Sequence, residues 1–233
     1  MAGRLPVAKT YKLFIDGAFP RSESGRTFPV HGPDGTLLAN AARASRKDLR
    51  DAVRTARAAQ EGWAARTAYN RGQVLYRVAE MLEGRRAELA TLLSDTGLGT
   101  EAAEEEVEAS IDRWVWYAGW SDKVHHVLGT VNPVAGPYFN FTVPEPTGVV
   151  GLVASGRPAL LGLVSRLVPA IVGGNAVVVV TGGDASLIAV TLGEVLATSD
   201  VPAGVVNILT GERAELLPWL ISHLDVNAVD LTG

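Results

Sequence analysis

Apolar positions follow two different rhythms along the chain, and the change falls near Pro144-Glu145-Pro146. Before that point they recur at helical spacing. Ser45 stands where a helix N-cap is expected, and Leu49, Val53, Ala56 and Ala59 repeat on one face behind it. Val74, Leu75, Val78 and Leu82, then Leu89, Leu92 and Leu93, predict two further helices. Residues 101–120 predict another, rich in Glu at its start and in Trp and Tyr at its end. Ahead of the helices, YKLFIDG and TFPVHGPDG read as short strands broken by Gly, Pro and Asp turns. Residues 129–142 read as two short strands joined across Pro133-Val134-Ala135-Gly136-Pro137, a hairpin.

After that point strands and helices alternate. Residues 148–154 predict an apolar strand and 158–172 an amphipathic helix, stopped by Gly173-Gly174-Asn175. The unbroken apolar run 176–180 is the pattern of a strand buried on both faces. A helix over 185–197, a strand over 204–209, a helix over 212–223 and a strand over 227–231 complete the series. Such alternation with short connections predicts right-handed crossovers and a parallel, doubly wound sheet. The expected class is α/β. Residues 1–146 are expected to form an N-terminal helical region with a bridging hairpin, and residues 147–233 a partial Rossmann-like dinucleotide-binding region. Ligands of such sheets sit beyond the carboxyl ends of the strands. Here those ends are Ala154-Ser155-Gly156, Thr181-Gly182-Gly183, Thr210-Gly211 and Thr232-Gly233.

Composition narrows the chemistry. With 233 residues, 47% of them hydrophobic, the chain can bury a substantial core. A net charge of −4 gives no reason to expect nucleic acid or an anionic membrane as partner. There is no cysteine, which excludes disulfides, thiolate metal sites and a cysteine nucleophile within this chain. The opening MAGRLPVAKTYKLFIDG lacks the apolar core of a signal peptide. The longest apolar region, 158–180, is interrupted by Arg166 and by Gly173-Gly174-Asn175, so no membrane span is expected and a cytoplasmic protein is the default. Charge is uneven. All four lysines (Lys9, Lys12, Lys47, Lys123) precede residue 146, and only three arginines follow it: Arg157, Arg166 and Arg213. Glu104-Glu105-Glu106 reads as a solvated acidic face near a helix start. Adjacent His125 and His126 point apart with no third ligand suitably spaced, so no metal is expected.

Several segments together resemble the N-terminal half of the aldehyde dehydrogenase family. They are LFIDGAF, ASRKDLRDAVRTARAA, LYRVAEMLEGRRAELATLLSDTG, YAGWSDKVHH, EPTGVVG, PAIVGGNAVVVV, VPAGVVNILTG and SHLDVNAVDLTG, in the family's order over nearly the whole chain. The resemblance implies an NAD(P)-dependent oxidoreductase scaffold. In that family a cysteine attacks the aldehyde, a hydride passes to NAD(P), and the thioester is hydrolysed. It also implies three supporting groups in this half. An Asn closing a Pro-Trp-Asn signature donates to the oxyanion, and a Lys after the second strand, with a Glu three residues on, holds the adenosine ribose. Aligned through GVVG at 148–151 and Gly174-Asn175, Ser155, Gly156 and Arg157 stand at Pro-Trp-Asn, Val180 at the Lys and Gly183 at the Glu. No catalytic residue is therefore expected, with Arg157 in the Asn position. Ser155, Gly156, Val180, Thr181, Gly183 and Gly233 are expected as vestigial positions of the cofactor crevice. Losing an oxyanion donor commonly costs about 10²–10³ in rate. Arg157 is expected to point to solvent or to fill an unused cleft. The family continues past Thr232-Gly233 with a helix cradling the pyrophosphate, the nucleophile-bearing domain and a closing oligomerisation strand, which the resemblance places outside this chain.

Three readings stay open at this point. The first is a non-catalytic scaffolding or partner subunit, with no tightly bound cofactor and NAD(P) if any. It would be a homo-oligomer or a complex with a full-length aldehyde dehydrogenase, and the 129–142 hairpin resembles the arm by which family subunits pair. The second is a component of an aldehyde oxidoreductase completed by another chain or by a missing C-terminal half. The third is a small-molecule binding module with Arg157 as an anion anchor.

Overall fold

A computed structural model of the chain describes residues 7–154 and 156–232. Strands β1 (Thr10–Tyr11), β2 (Thr27–His31) and β3 (Leu37–Ala42) form a small sheet in the order β1-β3-β2. Strand β3 was not expected from its sequence, LLANAA. Its Ala39 and Ala41 pack with Leu187 and Val190 of a later helix, where small side chains let the two layers approach.

The predicted helices then follow. Helix α1 (Arg46–Ala64) opens on a capping box: Ser45 Oγ accepts from the Lys47 and Asp48 amides, and Asp48 accepts from the Ser45 amide. Helices α2 (Ala68–Glu83), α3 (Arg86–Asp95) and α4 (Thr100–Trp120) come next, with a short α5 (Val124–Leu128) after them. The hairpin forms as expected, with β4 (Thr130–Asn132) antiparallel to β5 (Asn140–Thr142).

The second half is a parallel sheet. Strands β6 (Val149–Val153), β7 (Ala176–Thr181), β8 (Val206–Thr210) and β9 (Ala228–Asp230) lie in the order β8-β7-β6-β9. Their crossovers are α6 (Ala159–Val172), α7 (Ala185–Ala197) and α8 (Arg213–Ile221). All six residues of β7 are buried, as its unbroken apolar run predicts. Side-chain alternation divides the core between the faces. Leu152, Val177 and Val179 pack with α6 and α7, and behind them with α2 and α4. Val149, Val153, Val178 and Val180 pack with α1 and α8. Both sides of residue 146 contribute to this core. Trp63 Nε1 donates to Ile171 O at 2.8 Å, Arg71 Nε to Val172 O at 3.1 Å, and Phe14 exchanges backbone bonds with Ile208.

Candidate functional site

The carboxyl ends of the parallel strands are where a doubly wound sheet takes up its ligand, at the point where strand order reverses. In the order β8-β7-β6-β9 that point lies between β6 and β9. What surrounds it follows from how each end is terminated.

Helix α6 is the next element after β6, and its first-turn amides have no side-chain cap of their own, because the N-cap residue is Pro158. Glu106 of α4 supplies one. Its Oε1 accepts from Leu160 N at 2.7 Å and from Leu161 N at 3.1 Å. This corrects the expectation of a wholly solvated Glu104-Glu105-Glu106 face: Glu104 and Glu105 are exposed, but Glu106 is buried. The physical reason is periodicity. Ala103, Glu106, Val107, Ser110 and Trp114 form the buried stripe of α4, so the third glutamate points inward at a positive helix end.

Arg157 lies beside this cap. Its Nη2 donates to Thr96 O at 2.8 Å, just past α3, and lies 3.6 Å from Asp184 Oδ2 at the start of α7. The side chain keeps 58% exposure while spanning these two partners. With Leu93, Leu98, Glu106 and Pro158 it lines a cavity of about 170 Å³. Gly156 is exposed, and a β-carbon there would meet nothing within 4 Å.

At the end of β7 the side chains turn inward. Val180 is 0% exposed and belongs to the cluster with Val153, Leu209, Leu216 and Leu220. Thr181 is buried, and its hydroxyl has no hydrogen-bond partner among the described residues. Gly182 abuts the next turn, where an added β-carbon would lie 2.6 Å from Gly211 O. Gly183 has φ +61, with open space where a side chain would be. Neither Val180 nor Gly183 offers a side-chain hydrogen bond to a ribose. Ser155 and Gly233 lie outside the described residues.

Two residues that sequence reasoning noted only as charges also reach the site. Arg166 Nη1 donates to Val153 O at 2.9 Å, and Arg213 Nη2 donates to Ala154 O. Burial works to raise the Asp230 carboxyl, but bonds from Thr232 and the charge of Arg166 hold it below its ordinary range. Together with Arg157, these are all the cations after residue 146, which was the signal available in the sequence. Among the described residues no group of three or more His, Asp or Glu side chains is placed to hold a metal.

The chain matches the family model described as "Aldehyde dehydrogenase family" over residues 19–233. It is 34% identical over 231 residues to retinal dehydrogenase 2 of Homo sapiens, covering 97% of this chain and 44% of that protein. It is 35% identical over 229 residues to the mitochondrial aldehyde dehydrogenase family 2 member B4 of Arabidopsis thaliana, covering 95% and 42%. It superposes on the NAD+ complex of an aldehyde dehydrogenase from Bacillus cereus with a TM-score of 0.90 at 29% identity, covering 95% of this chain and 45% of that one. The chain thus spans less than half the length of the relatives it matches.

Proposed function

The chain belongs to the aldehyde dehydrogenase family, and from that premise we propose that it serves as a non-catalytic scaffolding or partner subunit. The observation that carries this reading is Val180, enclosed in apolar core at the position where the resemblance calls for a ribose-binding Lys. Gly183 adds to it, with no side chain where the Glu would be, and so does Arg157, engaged with Thr96 and Asp184 where an Asn would donate to the oxyanion. On this reading the residues present do not fit a dinucleotide held in the family's manner. Two ribose bonds on the order of 1–2 kcal/mol each weaken binding by about 10²-fold when both are lost.

Isothermal titration with NAD+ and NADP+ tests the proposal. Nothing tighter than the millimolar range is expected, and a micromolar dissociation constant would remove it. The partner is another copy of this chain or a full-length aldehyde dehydrogenase. The support is the hairpin, where Val131, Tyr138, Phe139 and Phe141 are all exposed and the two Phe rings lie 5.4 Å apart. We place the protein in the cytoplasm; no described helix is long and apolar enough to cross a membrane.

One observation favours a second reading, a component of an aldehyde oxidoreductase. It is the likeness of 95% of the chain to a solved NAD+ complex. A micromolar NAD+ isotherm would select it. The anion-anchor reading of Arg157 has less support, because Asp184 already sets a carboxylate beside that guanidinium.

A further inference from the structure

Past the end of β6 the chain places its own cations where a doubly wound fold takes up a ligand. The ladder between β6 and β9 ends at Leu152 opposite Asp230, and that between β6 and β7 at Val153 opposite Val180. The carbonyls of Val153 and Ala154 therefore lie at the ends of both ladders, where backbone acceptors need another partner. Two arginines take them from opposite faces of the sheet. Arg166 comes from α6, with Nη1 2.9 Å from Val153 O and Nε 3.2 Å from Gly162 O. Arg213 comes from the first turn of α8 and donates to Ala154 O. Helix α6 covers one face and α8 the other, so the two guanidinium groups grip consecutive carbonyls of one strand end from both sides.

We infer that Arg166 and Arg213 form a clamp that closes the ligand crevice at the sheet's switch point from within. A guanidinium donates charge-assisted bonds from a rigid planar fork, which suits it to hold a strand end in one geometry. The mouth also carries its own counter-ions. Asp184 lies 3.6 Å from Arg157, and Asp230 ends the strand beside β6, within the field of Arg166. An entering phosphate would thus meet guanidinium groups that already have acceptors and carboxylates around them. The inference rests on the non-catalytic reading in one respect only, that no cofactor has to enter here.

Hydrogen–deuterium exchange on the full chain tests it. In peptides covering residues 150–158, Arg166→Ala and Arg213→Ala should each speed exchange by about tenfold or more, as expected for loss of a bond from a charged donor. Arg54→Ala, on the exposed side of α1, should leave those peptides unchanged. Exchange in α2 serves as the reference for global unfolding. If an alanine variant loses protection there too, Arg166→Lys and Arg213→Lys decide the matter. They keep the charge without the fork and should lose protection at 150–158 alone. Millimolar NAD+ or inorganic phosphate should leave wild-type exchange as it is. Unchanged exchange in both alanine variants, or full protection in both lysine variants, overturns the clamp. So does phosphate that slows exchange in the wild type but not in the alanine variants, since the same arginines would then be an anion site. Each of these outcomes leaves the proposed function standing; that falls instead to a micromolar NAD+ isotherm.

Discussion

Removing the carboxylate of Glu106 tests how the candidate site is built. Helix α6 begins after Pro158, and no side chain of its own caps it. The Leu160 and Leu161 amides both donate to Glu106 Oε1, at 2.7 and 3.1 Å, and Leu160 is fully buried. A hydrogen bond to a charged group contributes about 1.5–3 kcal/mol, and an unsatisfied buried donor costs about as much. A carboxylate at a helix N-terminus adds roughly 0.3–1 kcal/mol. Glu106→Ala should therefore cost about 3–5 kcal/mol. That is a large fraction of the roughly 5–15 kcal/mol by which domains are stable, yet small enough for the chain to remain folded. Glu106→Gln keeps an acceptor oxygen and loses the charge, so about 1–2 kcal/mol is expected. Urea unfolding followed by circular dichroism measures both, provided the slope is unchanged between variants. Glu106→Ala within about 0.5 kcal/mol of the wild type would refute the reasoning, because α6 would then be held by packing alone.

Glu215 accepts from Arg26 at 2.6 Å and from Arg43 at 3.0 Å, and these bonds hold its carboxyl below the ordinary range. A depressed folded-state pKa gives stability that is complete above the unfolded value and lost as pH falls through the folded one. Glu215→Gln should therefore flatten the acid limb of the urea midpoint below about pH 4.5, and an unaltered limb would count against the pairing. At Gly204, with φ +82, an added β-carbon would lie 2.8 Å from Thr55 Cγ2 and 2.9 Å from Ala59 Cβ. Gly204→Ala should cost about 2–4 kcal/mol in the same urea assay, while Gly99→Ala, which meets nothing within 4 Å, should cost well under 1 kcal/mol. Phe139→Ser with Phe141→Ser should lower the mass seen by light scattering toward that of one chain. A wild type that is already monomeric at micromolar concentration would remove the scaffolding proposal.

Much of this architecture was legible in the sequence because burial imposes a period on it. The run at 176–180 carried the pattern of a strand covered on both faces, and Ser45 marked the start of α1. Strand β3 was not legible. LLANAA carries three alanines and no β-branched residue, and its extended form comes from lying between β1 and β2 under Leu187 and Val190. Glu106 was misread for a related reason. A run of three glutamates looks solvated, yet the spacing Ala103, Val107, Ser110 and Trp114 already drew a buried stripe through its third member. Arg166 and Arg213 gave no local signal, since an arginine on a helix is ordinarily solvated. Their bonds to Val153 O and Ala154 O show that both reach one strand end.

At positions 157, 180 and 183 the sequence supplied identities, and the geometry shows what each now does. Val180 is part of the apolar layer under α8, so a lysine there would carry a charge into apolar surroundings at a desolvation cost. Gly183 holds a left-handed backbone, which a glutamate would strain even though space for its side chain is open. Arg157 bridges the end of α3 and the start of α7, so an asparagine would release Thr96 O and Asp184 together. Each change to the residue that the resemblance implies would meet a different resistance: desolvation, backbone conformation and lost tertiary contacts. On the proposed reading, these residues belong to the packing and termination of β6, β7 and α6. A substitution back toward the family pattern would then have to rebuild that end of the sheet before it could hold a nucleotide.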